Sequence, residues 1–131
     1  MANRAFLPMQ GSIVKLVQVP LTLQGAGSGN APTLSTGDPN GTYFSVTAHA
    51  STGLVVVTTK DAFVSIPSVQ ATLCLATPAV ATVCVGPTPT HNSNGTWSFS
   101  FNIFVSGSAA DLGASDKLFL LFSFQNSSVV V

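Results

Sequence analysis

Apolar residues recur at every second position through most of this chain. The clearest stretch is "TWSFSFNIFV" (96–105), where Trp97, Phe99, Phe101, Ile103 and Val105 alternate with Ser98, Ser100 and Asn102. A period of two is what a strand shows when one sheet face is buried and the other is wet. "TYFSVTA" (42–48) alternates in the same way, with Phe44, Val46 and Ala48 in phase, and the β-branched "LVVVTT" (54–59) follows a short "STG" turn. These two read as a hairpin. "IVKLVQV" (13–19) reads as a strand, with Pro20 marking an edge or a break. "VQATLCL" (69–75) puts Val69, Ala71, Leu73 and Leu75 on one face, and "VATVCV" (80–85) follows the turn "ATPA". In the last strand, "KLFLLFSF", one face carries Leu118, Leu120, Phe122 and Phe124 and the other carries Phe119 and Leu121.

No segment has the 3.6-residue period of an ordinary helix. About seven short strands separated by Gly, Pro and Asn turns predict an all-β domain, a small antiparallel β-sandwich or barrel. Residues 1–12 have no period and read as an extended N-terminal arm, and residues 13–131 read as a single β domain. Within it, "QGAGSGNAPTLSTGDPNG" (24–41) is a long loop with one apolar island around Leu34. Loops of this length are usually functional or ordered by a partner.

Composition sharpens the picture. The chain has 131 residues, 46% hydrophobic but only 6% charged, with four basic and four acidic residues. Globular proteins usually carry about 25% charged residues. A neutral surface gives little protection against self-association. Phe119 and Leu121 pose the same problem locally, because a strand apolar on both faces needs cover on both. A second sheet, the N-terminal arm of the same chain or a neighbouring subunit would each provide it.

The charges are scattered, so nucleic-acid binding has no electrostatic footing. No stretch is long and apolar enough for a membrane-spanning helix, and "MANRAFLPMQGSIVKL" lacks the form of a signal peptide, so cytoplasmic synthesis is expected. The Asn-Gly-Thr and Asn-Ser-Ser triplets at Asn40, Asn94 and Asn126 then read as turn chemistry.

Candidate chemistry is sparse. His49, His91, Cys74, Cys84 and the four aspartates show no metal-ligand spacing. Glutamate is absent, no nucleophile elbow occurs, and "GAGSGN" (25–30) lacks the Lys-Ser/Thr of a phosphate loop. No catalytic residue, metal or cofactor is expected, and the chain does not read as an enzyme. Asp38, Asp61, Asp111 and Asp116 read as turn or cap residues. If "ATPA" closes a hairpin, Cys74 faces Cys84 across the ladder within reach of a disulfide, although cytoplasmic synthesis favours free thiols. Tyr43 and Trp97 could form a sugar-stacking platform, but Trp97 is in phase with Phe99 and Phe101, which points to the core.

Several stretches together resemble small all-β virion proteins of tailed bacteriophages, most of all capsid decoration (cement) proteins. They are the "PTL…G" loop (Pro32, Thr33, Leu34, Gly41), the following "SVT" strand (Ser45, Val46, Thr47), and the next strand with Gly53, Val55, Val57 and Thr58. The link with Ala109, Ala110, Asp111, Ala114 and Asp116 and the "NSS" of Asn126, Ser127 and Ser128 complete the pattern, which covers residues 31–129. The cysteine pair and the "PTPTHNSNG" loop lie outside it. The resemblance implies a virion structural protein on the outer capsid surface. It would associate with itself, often as a homotrimer, bind the major capsid protein and stabilise the head. A minor head-tail component, or a receptor- or carbohydrate-binding domain of a tail, is the alternative. The expected contact residues are Ala2, Asn3, Arg4, Ala5, Phe6, Leu7, Pro8 and Met9 of the arm, Pro32 and Leu34 of the loop, and Phe119 and Leu121.

Overall fold

A computed structural model describes residues 14–127. They form ten strands: β1 (Val14–Gln24), β2 (Thr33–Leu34), β3 (Phe44–Val46), β4 (Leu54–Thr59), β5 (Ser65–Cys74), β6 (Ala81–Val85), β7 (Thr90–His91), β8 (Trp97–Val105), β9 (Ser108–Ala109) and β10 (Lys117–Ser127). No helix occurs among the described residues. β2, β7 and β9 are two-residue strands inside loops, too short to leave a periodic signal. The remaining seven are the strands that alternation predicts.

The strands form two antiparallel sheets packed face to face. One has the order β2-β1-β10-β5 and the other β3-β4-β8-β6, with β7 and β9 also paired to β8. The fold is therefore a β-sandwich. Register follows the alternation. Leu21, Leu120 and Ala71 lie side by side, as do Leu23, Leu118 and Leu73. Across the core, Val55 pairs with Phe101 and Val57 with Phe99. Leu23, Val57, Phe99, Phe101, Leu118 and Phe122 are all fully buried. Each such side chain contributes about 1.5–3 kcal/mol through burial. Phe122 is the hub of an aromatic cluster, with ring centroids 4.8 Å from Phe99, 5.3 Å from Phe44 and 5.4 Å from Phe124.

The β3–β4 hairpin forms as expected, with Phe44 opposite Thr59 and Val46 opposite Val57. Two expectations need correction. Of the edge or break expected at Pro20, the break does not occur: β1 continues to Gln24. The Thr22 amide donates to the Thr36 carbonyl, away from β10, and the Thr22 carbonyl accepts from Ser35 on the same side. Two residues back along the strand, the nitrogen of Pro20 faces the same way, so its missing N–H costs the β1–β10 ladder nothing.

The second correction concerns β5 and β6, which are not a hairpin. β5 pairs with β10 in one sheet and β6 pairs with β8 in the other. The "ATPA" segment crosses the edge of the sandwich. Val69 and Leu73 pack on the β10 side of the core, whereas Val83 and Val85 sit beside Ile103 and Phe101 of β8. A turn signal between two alternating segments is the same for a hairpin and for an arch between sheets, so the local sequence does not separate them.

Candidate functional site

The long loop is ordered by its own chain. Asp38 is 97% buried, and its carboxylate accepts hydrogen bonds from the amides of Thr42 (2.7 Å), Tyr43 (3.0 Å) and Phe44 (2.8 Å). It thereby fixes the entry into β3. Gly37 has φ +100°, and a Cβ there would fall 2.4 Å from the Pro20 carbonyl oxygen, so only glycine fits where the loop crosses β1. Pro32 is buried and the partly buried Leu34 packs against the core, and both also line a shallow surface pocket with Pro39, Asn40 and Val46.

A second carboxylate joins three connections. Asp111, in the link between β9 and β10, accepts from the Gly29 amide (2.8 Å) and the Gly53 amide (2.9 Å), and its Oδ1 lies 3.1 Å from His49 Nε2. Burial opposes ionisation of Asp111. The two backbone amides and His49 outweigh that effect and hold the carboxyl below its ordinary range. Asp116 works similarly, accepting from Ala76 and Gly113 amides, both at 2.8 Å. The expectation that the aspartates are turn and cap residues holds for these three. The pairing of His49 with Asp111, 62 residues away, leaves no local sequence signal. Asn94 also serves turn chemistry: its Oδ1 accepts from the amide and hydroxyl of Thr96.

Among the described residues, no group of three or more His, Cys, Asp or Glu side chains converges as a metal site would require. Cys74 and Cys84 are both free and exposed. They lie in different sheets, so the ladder that would have placed them opposite each other does not exist. No helix among the described residues is long and apolar enough to cross a membrane.

Trp97 packs against the core, as its phase predicts. Its indole N–H donates to the Phe63 carbonyl (3.0 Å), and its ring stacks on His91 with centroids 4.3 Å apart. Tyr43 is separate from it and 55% exposed.

Among the described residues, two apolar surfaces bear on these expectations. The first is a groove of about 370 Å³ along the seam where β1 and the start of β3, strands of opposite sheets, face each other. Val17, Val19, Phe44, Phe63 and Phe124 make it apolar, Tyr43 stands at its side, and Asp61 and Gln18 add polar groups. Phe63 stacks on Phe124 at 4.1 Å, so the groove ends on the aromatic cluster of the core. The second is the outer face of the β1-β10-β5 sheet. Phe119 is 43% exposed there, between Thr22 and Thr72, and the half-buried Leu121 lies between Pro20 and Gln70. Lys117, at one end of β10, is the charged residue among the described side chains that this register turns outward on that face. The arm residues Ala2–Met9 lie outside the described residues.

No protein-family model, curated protein or solved structure matches the chain.

Proposed function

We propose that this chain is a virion structural protein, a decoration subunit that associates with copies of itself and braces the outer surface of a phage head. The observation that carries this reading is the outer face of the β1-β10-β5 sheet. Phe119 projects from a surface of Thr, Gln and Pro side chains with one charge at its margin. A large exposed aromatic on a charge-poor sheet face is suited to burial against another protein. The sequence resemblance to cement proteins supplies the partner, the major capsid protein, and the homotrimeric assembly. The use of three carboxylates to hold loops fits such a structural role. Repeated copies on a shell would strengthen individually weak contacts through multivalency.

The test is binding to phage heads stripped of decoration, followed by electron cryo-microscopy. The expected result is ordered density on the outer shell with Phe119 at a contact, and weaker binding by Phe119→Ser. Heads that take up none of the protein would refute the reading.

One observation favours a second reading, a receptor- or carbohydrate-binding domain of a tail. Tyr43 is exposed beside a groove that also holds Asp61 and Gln18, an aromatic face with hydrogen-bonding groups nearby. Binding on a glycan array that is lost in Tyr43→Ala would establish it.

A further inference from the structure

We propose that the groove between β1 and β3 is the seat of this chain's own N-terminal segment, with residues 2–9 added as a strand along the outer edge of β1 and Phe6 inserted into the seam. The inference is independent of the virion reading, since it concerns how one subunit closes its own core.

Four observations carry it. First, the edge is available. Among the described residues, pairing on this side of β1 is confined to Leu23 and Gln24 with β2 and to Thr22 with the loop at Ser35 and Thr36. Both polar backbone groups of Thr22 point to this side, so those of Leu16 and Gln18 do as well. They are the groups an added strand would use.

Second, the chain length matches. Residues 2–9 span about 26 Å when extended, at about 3.3 Å per residue, and β1 from Val14 to Pro20 spans about 23 Å. Gln10, Gly11, Ser12 and Ile13 lie between the two segments, a length suited to a four-residue hairpin connection. The added strand would end where the Gly37 loop crosses Pro20.

Third, Pro8 fixes which way the segment faces. Proline has no N–H, so on an added strand it is tolerated only where its nitrogen points away from β1. At such a position Pro8 lies opposite an odd-numbered residue of β1. The odd-numbered Val17, Val19, Leu21 and Leu23 turn towards the inside of the sandwich. Alternation then directs Arg4 and Phe6 inward as well, into the groove.

Fourth, the groove is complementary to those two side chains. Val17, Val19, Phe44, Phe63 and Phe124 offer an apolar, largely aromatic lining for Phe6, and Asp61 offers a counter-charge for Arg4. An arm seated there also accounts for Val17 being 40% exposed among the residues described.

The experiment uses the full chain at low concentration, with its mass monitored by light scattering. Amide hydrogen exchange of Gln18 is compared with that of Thr22, which is bonded to Thr36 and serves as the internal reference. The expected result is protection of Gln18 in the full chain and its loss in a chain lacking residues 2–11, with Thr22 protected in both. Phe6→Ser, which retains the segment, should lose the same protection. Nuclear Overhauser contacts between the Phe6 ring and the methyl groups of Val17 or Val19 are expected in the unaltered protein, independent of how any variant folds. Equal, rapid exchange of Gln18 in the full and shortened chains, without those contacts, overturns the proposal. Protection that appears only as the mass rises above the monomer overturns it too, because the groove would then hold the arm of a second copy.

Discussion

His49 Nε2 lies 3.1 Å from Asp111 Oδ1, the oxygen that also accepts from the Gly53 amide at 2.9 Å, while Oδ2 takes the Gly29 amide. One carboxylate thus joins the β1–β2 connection, the β3–β4 turn and the link into β10. Asp111→Ala leaves two backbone donors without their acceptor. Orphaned buried donors cost about 1–3 kcal/mol each, with the lower end appropriate where water can reach them. Urea unfolding at neutral pH should give a loss of about 1–3 kcal/mol in total. Asp111→Asn should fall between, since it retains one acceptor oxygen.

The same carboxylate gives a signed acid response. Its folded-state pKa is lowered from 3.8, because the amides and His49 favour the charged form more than burial disfavours it. The unfolded chain therefore takes up this proton at a higher pH than the folded one. The stabilisation is complete above about 3.8 and is lost as pH falls through the lower, folded value. Urea midpoints measured between neutral pH and the acid limit should decline in that window, and the decline should be shallower in Asp111→Ala.

Asp38 supports an edge strand. Its carboxylate takes three consecutive amides, from Thr42 to Phe44, in a buried setting. Asp38→Ala should cost about 2–4 kcal/mol, from several unsatisfied donors at about 1–3 kcal/mol apiece after partial relaxation. Hydrogen exchange locates the damage: the Phe44 amide, bonded to Asp38, and the Ser45 amide, in the ladder with β4, should lose protection before those of β8 and β10.

Phe119 and Phe122 lie three positions apart on β10 but on opposite faces. Phe122 is fully buried at the centre of the aromatic cluster, and Phe122→Ala should cost about 3–5 kcal/mol. Phe119→Ser should change monomer stability by no more than about 0.5 kcal/mol, as substitutions outside the core usually do. Its effect should appear instead as reduced self-association in sedimentation or light scattering. A large stability loss from Phe119→Ser would place that ring in the chain's own core.

Cys74 and Cys84 stand exposed on separate sheets. Both thiols should react with a water-soluble disulfide reagent in the native protein, without denaturant. Cys74→Ser and Cys84→Ser should each leave the urea midpoint nearly unchanged, within about 0.5 kcal/mol. A reagent titre of zero in the unreduced protein would contradict the free-thiol geometry.

The strands were legible because burial on one face writes itself directly into the sequence. Phe99, Phe101 and Ile103 announce β8, and Leu118, Leu120, Phe122 and Phe124 announce β10. What alternation does not carry is which strand lies beside which. "ATPA" suits a hairpin as well as it suits the arch it forms, and the cysteine ladder inferred from it failed for that reason. The loop at 24–41 was legible as a loop but not as an ordered one, because its order depends on the single buried Asp38 and on the contact of Gly37 with Pro20. The groove between β1 and β3 was not legible at all. Its lining comes from Val17, Phe44, Phe63 and Phe124, residues brought together only by the meeting of two sheet edges.

Asp38 and Asp111 turn two of the four carboxylates inward, and this governs how the molecule responds to its solvent. What wets the exterior is chiefly hydroxyl and amide, which dissolved ions do not shield. The association proposed above should therefore persist at high ionic strength and tighten in sulfate, which is excluded from protein surfaces.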